Sequence, residues 1–209
     1  LTENGILQGL RVMSPEGERD LSCSAAILAI GHSARDTLDM LCAQGLRMEQ
    51  KPFAVGVRIE HPRRMIDEAR YGRFAGHPAL GAADYKLSCR PAGGRGVYTF
   101  CMCPGGVVVP AASEPGGLAV NGMSEYARDA ANSNSALLVG VGPEDYGDPH
   151  PLAGVAFQRR LEQAAFRLGG GGYRAPVQLA GDFLQGRVSA SLGEVKPSYR
   201  PGITLCDLR

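Results

Sequence analysis

Ala25-Ala26-Ile27-Leu28-Ala29-Ile30-Gly31-His32-Ser33-Ala34-Arg35-Asp36 is a continuous apolar run that stops at a glycine and turns polar at once. Six apolar residues without alternation predict a short strand buried on both faces, as in a parallel sheet. A helix is expected directly after it. Ser33 suits its N-cap and Asp36 stands three residues on, near a capping box. Leu38, Leu41 and Cys42 supply its apolar stripe, and Gly45 suits its C′ position.

Upstream, Ile6 to Met13 alternates as a strand, Pro15-Glu16-Gly17-Glu18 reads as a turn, and Arg19 to Ser24 returns as a second hairpin arm. Downstream the texture changes near Met48 to Pro52. Phe53 to Ile59 alternates as a strand, and Pro62 opens a short helix through Glu68. Tyr85 to Cys89, Val97 to Met102, Val107 to Ala111, Leu118 to Met123 and Ala136 to Val141 are short strands between glycine-rich turns. Val155 to Leu168 is the clearest helix, with Phe157, Leu161, Ala164, Ala165 and Leu168 on one face. Pro176 starts another short helix through Leu184, and the tail from Pro197 is broken by Pro and Gly. The expected class is α+β. Residues 1–48 form a hairpin, strand and helix, and residues 49–209 form a mixed, largely antiparallel sheet with barrel-like closure open to it and a small helical section.

With a net charge of +1 and no basic run, no long-range field draws the chain to nucleic acid or an anionic membrane. No apolar stretch reaches the roughly 18 to 20 residues that span a bilayer. Cys23, Cys42, Cys89, Cys101, Cys103 and Cys206 are scattered and no signal peptide precedes them, so reduced thiols in a cytoplasmic protein are expected. Opening on Leu1 in mid-pattern suggests an internal piece of a longer chain.

Four local patterns carry chemical readings. A strand running through Gly31 into a helix N-terminus gathers free backbone N–H groups where a ligand can approach closely; the alternative is a plain strand-to-helix turn. Gly31-His32-Ser33-Ala34-Arg35 also approaches the G-x-S-x-G nucleophile elbow, which would make Ser33 a nucleophile with His61, His77 or His150 as base. Arg35 stands where that elbow needs a small residue. Cys101-Met102-Cys103-Pro104-Gly105-Gly106 reads either as a substrate- or cofactor-facing loop or as two small buried residues at a strand end. Its C-x-C spacing is neither the C-x-x-C redox motif nor half of a zinc site. Gly170-Gly171-Gly172-Tyr173-Arg174-Ala175 formally fits G-x-G-x-x-A but follows a helix, so it is no dinucleotide fingerprint. Polar runs at Arg58 to Arg64, Asn121 to Ser124 and Asn132 to Ser135 offer donors that either line a site or satisfy turns.

Several segments together carry a resemblance. They are Ala29 to Asp36, Lys51-Pro52-Phe53-Ala54-Val55-Gly56-Val57-Arg58-Ile59-Glu60-His61-Pro62, Ala83-Asp84-Tyr85-Lys86-Leu87, Arg95 to Gly106, Asn121-Gly122-Met123-Ser124 and Asn134-Ser135-Ala136-Leu137-Leu138. In this order the chain resembles FAD-dependent dehydrogenases related to HI0933-like flavoproteins. The resemblance implies a Rossmann-like FAD-binding domain interrupted by an inserted substrate-side domain. It makes residues 1–48 part of the former and 49–209 the latter. Ala29, Gly31, His32 and Ser33 would then lie nearest the flavin. Cys101, Cys103, Pro104, Gly105, Gly106, Asn121, Gly122, Met123 and Ser124 would lie on the substrate side. The implied cofactor is FAD and the implied partners are a small-molecule substrate and the rest of the parent chain. No metal is implied, and no residue is assigned as catalytic. A serine hydrolase using Ser33 and a non-catalytic binding module remain the alternatives.

Overall fold

The computed structural model describes residues 1–209 and divides into two compact units, Leu1–Arg35 and Asp36–Arg209. In the first, β1 (Thr2–Glu3) pairs with β2 (Ile6–Leu7), and β3 (Gly9–Ser14) pairs antiparallel with β4 (Gly17–Ser22). Pro15 and Glu16 form the two-residue loop of this hairpin, as the turn residues predict. Arg11 on β3 lies opposite Asp20 on β4 and pairs with it and with Glu18, each at 2.9 Å.

The strand expected over residues 25–30 is not formed. That stretch belongs to no sheet, and Ile27 is 96% exposed. The apolar pattern states a preference for burial. A strand also needs a neighbour to take its backbone N–H and C=O groups, and no segment pairs with this one.

The second unit takes in nearly all of α1 (Arg35–Ala43), which ends in a Schellman motif with Leu46 N–H donating to Leu41 O and Gly45 N–H to Cys42 O. It continues with β5 (Phe53–Pro62), α2 (Arg63–Tyr71), a 3₁₀ turn at Gly72–Phe74, β6 (Ser88–Cys89), β7 (Val97–Cys103), β8 (Gly106–Pro110), β9 (Val120–Ser124) and β10 (Asn132–Val141). Then come α3 (Pro143–Tyr146), α4 (Ala153–Leu168), β11 (Ala175–Val177), α5 (Ala180–Leu184) and β12 (Ile203–Leu205).

The main sheet is antiparallel with the order β5-β10-β7-β6. β8 and β9 form a separate hairpin, and β11 and β12 a short parallel pair. The class is α+β with mostly antiparallel pairing. No sheet closes on itself, because β5 and β6 remain edges, so the barrel-like option is not realised.

Two small cores hold this unit. Val141, Tyr146 and Ala153 are buried with Phe53, Val55 and Phe157 against them; Phe53 stacks on Tyr146 at 5.2 Å between ring centroids. Tyr146 also donates its hydroxyl to Lys51 O at 2.7 Å, which satisfies the polar end of a ring that is otherwise buried. The second core is Val108, Ala175 and Tyr199 with Val120, Val177 and Ile203.

Three further expectations are corrected. On α4, Phe157 and Ala165 of the expected face are half-buried, but Leu161, Ala164 and Leu168 are exposed, and the helix packs on the core through Ala153, Gly154 and Phe157. The helix expected from Pro176 begins at Ala180, because Pro176 pairs with Thr204 in a strand within the tail. Finally, β10 begins at Asn132, so Asn132 to Ser135 form strand, not loop.

Candidate functional site

The geometry of the site starts from an irregularity in the sheet. Between the pairs Asn134↔Cys103 and Ala136↔Phe100, β7 advances three residues while β10 advances two. The extra residue is a β-bulge, and Cys101 within it takes φ +48°, an uncommon conformation for a side chain other than glycine. The bulge turns the Cys101 carbonyl out of the ladder. It accepts from Arg58 Nη1 at 3.3 Å and from the Cys103 thiol at 3.4 Å.

Arg58, on β5, joins three strands through its guanidinium. Its Nη1 also donates to Asn134 Oδ1 at 2.6 Å, and its Nη2 to Asn121 Oδ1 at 3.2 Å. Both Arg58 Nε and Asn134 Nδ2 are buried and have no partner. Asn134 is fully buried, with Ser133 and Ser135 beside it. β9 crosses directly over this node at Gly122. A Cβ there would collide with Asn134 Oδ1 and Arg58 Nη1 and lie 2.8 Å from Cys103 Sγ, so only glycine lets the strand pass.

The Cys101–Gly106 and Asn121–Ser124 segments therefore do come together. Their register is Gly106↔Ser124, Val107↔Met123 and Val108↔Gly122. Ser124 Oγ donates to Pro104 O at 2.8 Å, and Gly105 N–H donates to Ser133 Oγ at 2.9 Å. Cys103, Pro104, Gly105 and Gly106 are buried, while Cys101, Asn121 and Met123 are exposed. Burial pushes the Cys103 thiol up, the neighbouring Cys101 adds to this, and the nearby Arg58 charge opposes it. Cys103 is thus held as a neutral thiol and not as a reactive thiolate.

A second polar group sits on the same strands. His61, buried on β5, places Nε2 2.8 Å from the Tyr85 hydroxyl and Nδ1 3.4 Å from Pro62 O. A carbonyl only accepts, which assigns the ring proton to Nδ1 and makes Tyr85 the donor to Nε2. Burial raises the Tyr85 pKa, with a hydrogen bond from Ser135 and the Arg58 charge working against that rise. Tyr85 and His61 are thereby a hydrogen-bonded pair.

The remaining candidates lie in the first unit. Gly31 has φ +72° and open space around it, and His32 Nε2 lies 3.4 Å from Ser33 Oγ. Ala29, Gly31 and His32 are exposed. The strand that a nucleophile elbow requires ahead of Ser33 is missing. Each histidine considered as its base is engaged locally: His61 with Tyr85, His77 Nδ1 with Ala79 N–H, and His150 Nδ1 with Leu152 N–H. All six cysteines are unpaired, and no cluster of His, Cys, Asp or Glu is placed to hold a metal. No helix is long and apolar enough to cross a membrane.

Sequence reasoning offers Arg58, His61 and Asn134 only within polar runs that either line a site or satisfy turns, and His61 also as a base for Ser33; it does not mark Tyr85 as a site residue. A signal for Arg58 is present: a permanent cation in the middle of an alternating strand must find compensation somewhere in the fold.

Comparison with known proteins places this geometry in a family. Residues 52–209 match the family described as FAD-dependent protein, C-terminal domain-like. The chain is also 55% identical, over 192 residues, to an uncharacterized protein of Clostridium beijerinckii. That alignment covers 91% of this chain and 36% of the relative, so the chain spans about a third of the length of the relative it matches. The chain belongs to the FAD-dependent protein C-terminal domain-like family.

Proposed function

We propose that this chain is the substrate-side portion of an FAD-dependent oxidoreductase of the dehydrogenase type, related to HI0933-like flavoproteins. The observation that carries the reading is the family match, which runs from the first residues of β5 to the end of the chain and so includes the whole Arg58 node. In this reading residues 49–209 are an inserted domain and residues 1–48 the edge of the FAD-binding domain. One feature supports it: the apolar run 25–30, which has the composition of a buried strand, lies exposed.

Ala29, Gly31, His32 and Ser33 fit FAD as an edge contact. Gly31 leaves the backbone approachable at the start of α1, but the chain has no glycine-rich phosphate cradle of its own. When bound, the flavin supplies hydride and electron transfer. The residues of this chain orient the substrate and manage its protons. Arg58 and Asn121 present donors and an acceptor beside the exposed Met123, and Tyr85 holds a proton against His61.

The test is to extend the chain through its flanking sequence and measure visible flavin absorbance after purification. A bound flavin in the extended protein, together with no sub-micromolar FAD affinity in the 209-residue chain, is the expected result. A colourless extended protein that also fails to take up added FAD overturns the reading.

A further inference from the structure

We infer that Arg58 and Asn134 form a binding site for a carboxylate, and that the small molecule this protein recognises carries one. The charge of Arg58 is uncompensated. It is held by three neutral acceptors, Cys101 O, Asn134 Oδ1 and Asn121 Oδ1, and by no carboxylate. Glu60, two residues along the same strand, is engaged with other groups: its Oε1 accepts from Ser198 N–H at 3.1 Å, Ser198 Oγ at 2.6 Å and Asn132 Nδ2 at 2.8 Å, and its Oε2 from Ser198 N–H at 3.3 Å. Arg58 is half-buried at the crossing of three strands, and the groups it meets there are neutral.

The donors left over show where the anion belongs. Nη1 is used by Asn134 and the bulge carbonyl. Nε has no partner, and Nη2 has only the side-chain oxygen of the exposed Asn121. Nε–H and Nη2–H lie along one edge of the planar guanidinium, the edge that grips a carboxylate through two parallel hydrogen bonds. Asn121 Oδ1 therefore stands where one carboxylate oxygen would sit. Because Asn121 is exposed and also accepts from Gly122 N–H at 2.8 Å, it can swing away at small cost. The unpartnered Nδ2 of the fully buried Asn134 is a further donor on the same node. The anion site stands on this geometry alone; only the statement that the anion is the substrate's own rests on the flavoprotein reading.

The experiment titrates acetate and benzoate, with chloride at matched ionic strength, while following the side-chain ¹⁵N resonances of Arg58 Nε and Asn134 Nδ2. Saturable shifts with both carboxylates and none with chloride are expected. Arg58→Lys, which removes the fork, weakens the carboxylate response by about 10-fold. Asn134→Asp supplies an internal carboxylate and abolishes it. Asn121→Ala, at an exposed position that does not endanger folding, tightens it. No saturable shift in the unaltered chain, an equal shift with chloride, or no change in Asn121→Ala overturns the inference. A response that persists in an extended chain unable to bind flavin sinks the flavoprotein reading and keeps the anion site. A flavin-loaded chain without the response does the reverse.

Discussion

Residues 25–30 and residues 132–135 have exchanged the places their compositions suggest. Ala25-Ala26-Ile27-Leu28-Ala29-Ile30 is wholly apolar and lies exposed outside any sheet. Asn132-Ser133-Asn134-Ser135 is wholly polar, and three of its four residues are fully buried in the central strand of the main sheet. The difference lies in partners. β10 pairs with β5 along ten residues and with β7 on its other side, so its backbone is satisfied. Its polar side chains find partners one by one, Ser133 in Gly105 N–H, Ser135 in Phe100 O and Asn134 Oδ1 in Arg58, with Asn134 Nδ2 alone left unmet. A polar run can be buried when its backbone and nearly all its side-chain groups are met, and an apolar run stays out when no ladder receives it.

The largest expected effect strikes the buried polar run through its cover. Gly122→Val drives a branched side chain into Asn134, Arg58 and Cys103, and β9 must lift away. Equilibrium urea unfolding is expected to show a loss of about 1–3 kcal/mol or more. A variant that unfolds with the midpoint of the unaltered chain would mean that β9 does not press on the node, and the contrast between the two runs would lose its buried half.

A smaller effect concerns the end of β10, where the chain leaves the strand. Asp145 accepts from Arg95 through both carboxylate oxygens and from Gly142 N–H at 2.9 Å. Arg95 first, and the Gly142 N–H second, lower its pKa from 3.8 to about 2. A carboxylate whose pKa is lower folded than unfolded contributes stability above its unfolded pKa and loses it as pH falls through the folded one. The contribution is therefore complete at neutral pH and disappears as pH drops from about 4 towards about 2. Asp145→Asn should melt lower than the unaltered chain at pH 7, and the gap should close near pH 2. A gap of constant size across that range would remove the ion pair as its cause. The pair is half exposed on the Arg95 side, which limits its contribution in salt.

How much of the molecule is legible in its sequence depends on the range of each signal. The hairpin at Pro15-Glu16, β5, β7, the apolar half of β10 and the length of α4 are written in neighbours along the chain: turn residues, alternation and helical spacing. Asn132 to Ser135 read as loop because amides and hydroxyls serve turns as well as they serve buried networks, and what decides between these is β5, seventy residues earlier. The outward side of α4 is misjudged for the same reason: Leu161 and Leu168 show a stripe, but only Phe53 and Tyr146 decide which stripe is covered. Of the site, the loop Cys101–Gly106 and the strand Asn121–Ser124 are identifiable as a pair and do meet. Arg58 and Asn134, which join them, become visible only when three strands cross.

The smallest effect is also the one that divides the two runs most cleanly. Ile27 is 96% exposed, so Ile27→Lys removes no buried surface and should change the stability of the 209-residue chain by under about 0.5 kcal/mol. Amide hydrogen exchange should agree, with residues 25–30 exchanging unprotected and residues 133–139 held to the slowest limit of the molecule. In the longer parent chain the same substitution becomes a test of the proposed function. If residues 25–30 there join a sheet and are covered on both faces, a lysine at position 27 places an unpaired charge in a core and costs several kcal/mol. One substitution with two such different costs would show that the apolar run is a strand waiting for polypeptide outside this chain. Equal and negligible costs in both proteins would show that its composition has no structural purpose.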